Sequence, residues 1–438
     1  MVEQKRIYLL SNIRRHVSVA GKWVGLLVIS AACQYASGAT WCVSQVGACA
    51  YQTIGAAVTG ASAGDTINVQ AGVYSESVHI TKPVALIGSG SGTIINAIGL
   101  SNGIFIDGSA MAPAAGIANV VVSGFSVENA NYEGILVMNA SEVTISSNLV
   151  SGNDRSLNPT AGTCPGQPAF ETNEDFDCGE GIHLMAVDHS VIANNIVKNN
   201  SGGILISDET GPTHDNLITG NNVNNNPWDC GITLASHSPA ASSGLKLPAG
   251  IYHNTISGNI SANNGLGIAG AGAGVGIFAP GPGNANYGNV VINNTLTGNG
   301  LPGVTMHNHA APPKTPPVNL NDNMIVGNVI SGNAADTDDA ATPGTTGINI
   351  YSVAPVTGTI IALNKISNEQ VDIAVNTPAA DVQVNLNDLQ GQTGVDNLGS
   401  GTVDAMQNYW GCAAGPGQSS CGAAVGLALT GAYAIVPF

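Results

Sequence analysis

An asparagine that returns at the same place in a repeated unit constrains this chain more than any other feature. The unit is apolar-x-x-Asn-x-apolar. It reads Ile145…Asn148…Val150, Ile192…Asn195…Val197, Ile218…Asn221…Val223, Val291…Asn294…Leu296, Ile325…Asn328…Ile330 and Ile361…Asn364…Ile366. Ile256…Asn259 carries Ser261 at the last position, and Val382…Asn385 and Ala405…Asn408…Trp410 are looser copies. Most copies add a second asparagine: Asn153, Asn200, Asn226, Asn264, Asn299 and Asn333. Self-similarity at a period of tens of residues marks units that bury their apolar faces only by stacking. Identical amides at one corner of stacked coils can bond to the copies above and below. The repeat therefore predicts an asparagine ladder inside a solenoid.

A strand signal precedes each asparagine. It begins at Gly134, Gly181, Gly203, Gly231, Gly276, Gly303 and Gly347, and each glycine is followed by an apolar residue, mostly Ile. Period-two alternation sends Ile135/Val137, Ile182/Leu184, Ile204/Ile206, Ile232/Leu234, Val304/Met306 and Ile348/Ile350 inward. Helical repeats would need apolar residues at three-four spacing, which these segments lack. Composition agrees, with 57 Gly and only 9% charged residues, too little charge for a helical solenoid. The expected fold is all-β: a single-stranded right-handed parallel β-helix with inserted loops.

Residues 1–39 read as a secretory signal peptide: Lys5, Arg6, Arg14, Arg15 and Lys22, an apolar run from Trp23 to Ala32, then small residues to Ala39. That run is too short to span a membrane. The β-helix is expected over 40–438, with an N-terminal cap at 40–62 and a C-terminal cap at 405–438. Tyr51–Val58 is the expected capping helix. Export permits disulfides, expected as Cys42–Cys49, Cys164–Cys178 and Cys412–Cys421. Cys230 is left over, because Cys178 belongs to a coil two strand spacings away. The formal charge of −17 disfavours nucleic acid and anionic membranes as partners.

The opening Ala63-Gly-Asp-Thr-Ile-Asn-Val-Gln-Ala-Gly-Val-Tyr, with Val84-Ala-Leu-Ile-Gly after it, resembles the first coils of the right-handed parallel β-helix superfamily. That superfamily includes pectin methylesterases, pectate lyases and a periplasmic copper-processing family. The ending Asn408-Tyr-Trp-Gly with Gly415-Pro416 is similar to many of its terminal coils. The resemblance implies a secreted, periplasmic or cell-surface protein acting on a polysaccharide or other extracellular glycan. The superfamily's arginine-containing lyase motif and its polygalacturonase-type acid set are not found in this chain. Function must then be read from the site and not from the scaffold.

Aligned on their glycines, the strands bring titratable residues to one edge. Glu209 and His237 share a register position on neighbouring coils, and His309 shares it further on. Asp208 and His307 lie beside this row, and His183 is the outward residue of its own strand. Glu209, His237, Asp208 and His309 are the expected catalytic set. His183, His307, Glu180, Asp177, Asp229 and Trp228 are the expected substrate-binding residues. Glu180 and Asp177 come from an acidic insertion that also holds Glu171, Glu174 and Asp175, and longer loops after Gly203, Gly231, Gly276 and Gly303 wall the same edge. His79, His189 and His253 read as inert surface residues. No closed Cys/His metal set is present, and a divalent ion such as calcium stays open. Two functions fit: lyase, epimerase or hydrolase chemistry by a Glu/His acid–base groove, or a non-catalytic solenoid that binds a ligand or metal.

Overall fold

The computed structural model describes residues 38–109, 116–168, 176, 178–237, 250–308, 318–337, 340–378, 381–413, 415 and 416. Over these residues the chain winds through three sheets of 13, 11 and 15 strands, and the strands within them pair in parallel. The first sheet runs from Thr40–Val43 to Thr402–Asp404 and the second from Gly72–Tyr74 to Asp388–Leu389. The third carries the glycine-led strands, among them Glu180–Asp188, Gly202–Ser207, Ile232–Ala235 and Val304–Asn308. This is a parallel β-helix. The inward residues expected from alternation are wholly buried, from Ile135 and Val137 to Ile348 and Ile350.

The asparagines form the ladder. Asn195 Nδ2 donates to Asn221 Oδ1 (3.0 Å), Asn221 to Asn259 (3.0 Å) and Asn259 to Asn294 (3.0 Å). Each also donates to a strand carbonyl, as Asn221 does to Ile192 O (2.8 Å). A corner of the coil leaves backbone groups outside the sheets, and the buried amides satisfy them. The second set builds a parallel ladder from Asn153 through Asn200, Asn226, Asn264 and Asn299 to Asn333. It ends on Glu369, whose Oε1 accepts from Asn333 N and Nδ2. A third ladder joins Asn216, Asn254, Asn289 and Asn323 at the remaining corner.

One local rule makes all three corners. The residue before each ladder position has positive φ: Asn194 (56°) before Asn195, Gly220 (64°) before Asn221, Asp215 (55°) before Asn216 and Asn368 (60°) before Glu369. Gly, Asn and Asp tolerate that left-handed conformation best, which is why they cluster at the corners.

The structure corrects the register of one loose copy. Asn387, not Asn385, continues the ladder, accepting from Asn364 Nδ2 and donating to Asn408 (both 3.0 Å). Val384 pairs with Ile361 in the first sheet. Val382 and Val384 are two residues apart and both buried, so alternation could not tell one register from the other. The capping helix also starts later than expected, at Ile54–Gly60 with Thr53 as its N-cap. Proline-free but short, it packs Ile54, Ala57 and Val58 onto the first coil.

Cys42–Cys49 and Cys164–Cys178 are disulfide-bonded, as bridges of an oxidising compartment would be. Cys412 is also disulfide-bonded, while Cys421 lies outside the described residues. Cys230 is a buried free thiol, and burial holds its pKa well above the usual range. Thiol reagents are expected to leave Cys230 unmodified in the folded protein and to label it once denaturant opens the coil. Peptide mass spectrometry reads this directly, and rapid native labelling would contradict the buried placement.

Candidate functional site

Register carries the site. The third sheet pairs Ile204 with Ile232 and Ser207 with Ala235, and the same step two residues on sets Glu209 against His237. His237 Nδ1 lies 3.8 Å from Glu209 Oε1. The carboxylate's other oxygen faces His183, whose Nε2 is 3.7 Å away. His183 points outward from Glu180–Asp188, one position from the wholly buried Ile182 and Leu184. It pairs across the sheet with Leu136 on one side and Leu205 on the other. Glu209 thus sits between two imidazoles.

Ser207 and Glu133 complete the set. Ser207 Oγ is 2.8 Å from His183 Nε2 and donates to Glu209 Oε2 (2.9 Å). Glu133 Oε1 lies 3.4 Å from His183 Nδ1, and the Asn102 amide donates to its other oxygen (2.7 Å). The row Glu133, His183, Ser207, Glu209, His237 crosses four successive coils. Side-chain exposure is 3% for His183, 6% for Glu209 and 10% for His237. His237 is therefore the most accessible imidazole of the row, and His183 is a buried connector. Glu133 was missed in the sequence although a signal existed: it precedes Gly134 as Glu180 precedes Gly181. Ser207 had no such mark.

The other expected residues divide. Asp208 is wholly buried and accepts from Ser236 Oγ (3.1 Å). Burial pushes its carboxyl up to about 6, opposed by the Ser236 bond and by the Gly250 and His237 surroundings. Glu180 is wholly buried beside Glu133's strand position. Asp229 and Trp228 stand at the opposite end of the strands, before Ile232–Ala235, with Trp228 stacked on Phe176 (centroids 5.8 Å apart). His307 packs edge-on against Phe278 (ring centroids 4.6 Å apart). His309 and Asp177 lie outside the described residues, as do Glu171, Glu174 and Asp175. His189 and His253 are surface residues, as expected, and lie beside Asp188, His214, Asp215, Tyr252 and Tyr287.

Comparison with known proteins places this architecture. Residues 58–263 match the family model described as periplasmic copper-binding protein (NosD). That stretch contains Glu133, His183, Ser207, Glu209 and His237. The chain is similar in fold to the catalytic domain of a GH87 α-1,3-glucanase, at 13% identity and a TM-score of 0.54 over 92% of this chain and 69% of that one. The chain has the parallel β-helix fold of these proteins. This β-helix protein is also similar to the mannuronan C-5 epimerase A-module of Azotobacter vinelandii. Identity there is 17% and the TM-score 0.48, over 80% of this chain and 92% of that one. At these identities the likenesses concern the fold alone. A search of curated protein sequences returns no match.

Copper is named in the matching family's description, and the donor set decides whether it fits. Among the described residues no three His, Cys, Asp or Glu side chains converge as a metal set, and the one free thiol is buried. The β-helix protein's described donors do not fit a copper centre, which favours soft sulfur or convergent imidazole ligands. What the row can do is hold and move protons: Glu209 lies within ion-pair reach of both imidazoles, and Ser207 Oγ bridges it to His183.

Proposed function

We propose that this chain is an exported, carbohydrate-active β-helix protein that moves a proton on a glycan, in lyase or epimerase chemistry. The observation that carries the reading is Glu209 held between His183 and His237, with the more accessible His237 at the end of the row. His237 would take a proton from a sugar carbon, and Glu209 would stabilise the imidazolium so formed. His183 and Ser207 position Glu209, and Glu133 in turn orients His183. A hydrolase would need two carboxyl groups flanking a glycosidic bond. Here Glu133, Glu180 and Asp208 are buried, which leaves Glu209 without an accessible second acid among the described residues. The disulfides and the family description's periplasm support an oxidising compartment. Among the described residues no helix is long and apolar enough to cross a membrane.

The test is a panel of polysaccharides incubated with wild type, Glu209→Gln and His237→Ala. Unsaturated products are read by ultraviolet absorbance, and epimerisation by exchange of a carbon-bound proton with solvent deuterium. Turnover is expected to fall about a hundredfold or more in either variant. Activity untouched by both substitutions would remove the assignment. Binding without any turnover would favour the second reading, a ligand-binding solenoid.

A further inference from the structure

At the far end of the third sheet from His237, a cleft of about 220 Å³ opens between the second-ladder corner and the loop after Asn226. Asp154, Arg155, Leu157, Asn199, Ser201 and Trp228 line it. Three features of this lining call for a ligand. Arg155 is exposed, in a chain with only 11 Lys and Arg against 28 Asp and Glu. No carboxylate among the described residues reaches its guanidinium. Ser201 is 2% exposed, and its hydroxyl has no hydrogen-bond partner although it borders the cleft. A buried, unmatched hydroxyl is destabilising unless something meets it. Trp228 is a fixed apolar wall, stacked on Phe176 and crowded by Gly267, where an added Cβ would come within 2.7 Å of the indole.

We infer that this cleft is a subsite for one acidic sugar unit of the glycan. The inference rests on the proposed glycan chemistry and names its substrate class. Arg155 takes the sugar carboxylate, since its planar fork matches a carboxylate's two oxygens. Ser201 Oγ meets a ring hydroxyl, and Leu157 and Trp228 cover the apolar face of the ring. Asp154 is already committed, with a carboxylate oxygen accepting the Ser201 N–H, and so helps fix the serine. Neutral sugar alone would leave Arg155 unused, and a bare inorganic anion would leave the apolar wall unused. Ser201 and Ser207 are six strand positions apart, about 20 Å. A ligand that occupies both the cleft and the His237 end must therefore be an oligomer, not a monosaccharide.

Calorimetric titration of the Glu209→Gln protein decides it, because binding is then read without turnover. The probes are hexuronate oligomers, the same oligomers with carboxyls reduced to alcohols, and acetate. The hexuronate oligomer is expected to bind at least tenfold tighter than its reduced form and to weaken with salt. Adding Arg155→Gln, an exposed change that spares the core, is expected to erase that difference. Equal binding of reduced and acidic oligomers, or affinity unchanged by Arg155→Gln, overturns the subsite. So does acetate competing as strongly as the oligomer, which would mark a simple anion hole. If wild type turns over only neutral glycans, the subsite falls while the proton-transfer reading stands. If acidic oligomers bind through Arg155 but are never turned over, the subsite stands and that reading falls.

Discussion

The coils around Glu369 and Asp372 are expected to hold together better near pH 5 than near pH 8.5, the reverse of ordinary acid denaturation. Both side chains are buried, at 5% and 0% exposure. Glu369 occupies a ladder position that an asparagine fills in the coils before it, and its Oε2 has no partner. Asp372 Oδ2 accepts the Gly391 N–H (2.8 Å), and its Oδ1 has none. Burial pushes Glu369 up to about 7. Burial, with the neighbouring Glu369 and Asp388 charges, pushes Asp372 up to about 8. In the unfolded chain these groups ionise near 4.5 and 3.8. The stability that the neutral forms contribute is full below those unfolded values. It declines as pH rises, because the unfolded chain releases its protons first, and it is lost once pH passes the folded values. For Asp372 alone the difference is on the order of 5 kcal/mol, and the two acids are coupled, so their effects do not add. Hydrogen exchange of residues 365–397, corrected for the intrinsic pH effect, should show protection falling across that window. Glu369→Gln with Asp372→Asn, neutral at every pH, should flatten the profile. Equal protection at both pH values, or a slope that survives the double variant, would refute the expectation.

The fold was legible because its signals are redundant. Asparagine, glycine and alternating apolar residues each report the same register, and one-coil errors are punished on every face. Two errors did occur, Asn385 for Asn387 and Gly276 for Gly274 as the glycine opposite Gly231, and both fell where a two-residue slip preserves alternation. The third ladder went unread for a different reason. Asn216, Asn254, Asn289 and Asn323 each sit two residues before the strand apolar residue, but the insertions before them vary in length and hide the period. With the positive-φ rule in hand, Asp215, His253, Gly288 and Asp322 mark all four.

The candidate site was legible where it lies on the regular strands and opaque elsewhere. Glu209 and His237 follow from register alone, because their strands end in step. His183 was correctly set outward, yet its partner Glu133 precedes its strand and comes from a coil earlier, so spacing from His183 could not reveal it. Asp208 shows the limit of counting: it neighbours Glu209 in sequence, but alternation turns it inward to Ser236. The Arg155 cleft joins two corners whose loops differ from coil to coil, and no repeat predicts where such loops meet.

Replacing Asn221 by Ala is expected to cost about 4 kcal/mol in its part of the solenoid, far above the half kcal/mol typical of a surface change. The substitution takes one buried hydrogen bond from each of four groups, of which Asn195 Nδ2 keeps its bond to Ile145 O and Asn259 Oδ1 keeps the backbone N–H of residue 221. Asn195 N and Nδ2 lose the Oδ1 acceptor (2.9 and 3.0 Å). Ile192 O and Asn259 Oδ1 lose the Nδ2 donor (2.8 and 3.0 Å). All lie in a corner that is buried on every side, with Asn195, Asn221 and Asn259 each 1% exposed. Each lost buried bond costs about 1–3 kcal/mol, nearest the low end where the group keeps a second partner, and water entering the space left by the amide recovers part of the total. Asn224→Ala is the matched control, since its amide donates to the Asn222 side chain and accepts from the Asn225 side chain, both near the surface. Urea denaturation of the two variants gives the comparison, and a loss under about 1 kcal/mol for Asn221→Ala would show that the ladder is not a stabilising network. Because each coil contacts mainly its neighbours, the damage should concentrate there rather than spread along the axis. Asn221 lies in the chain between Glu209 and His237, so the same variant is expected to loosen that pair. Turnover should therefore fall together with local stability, while Asn224→Ala leaves both unchanged.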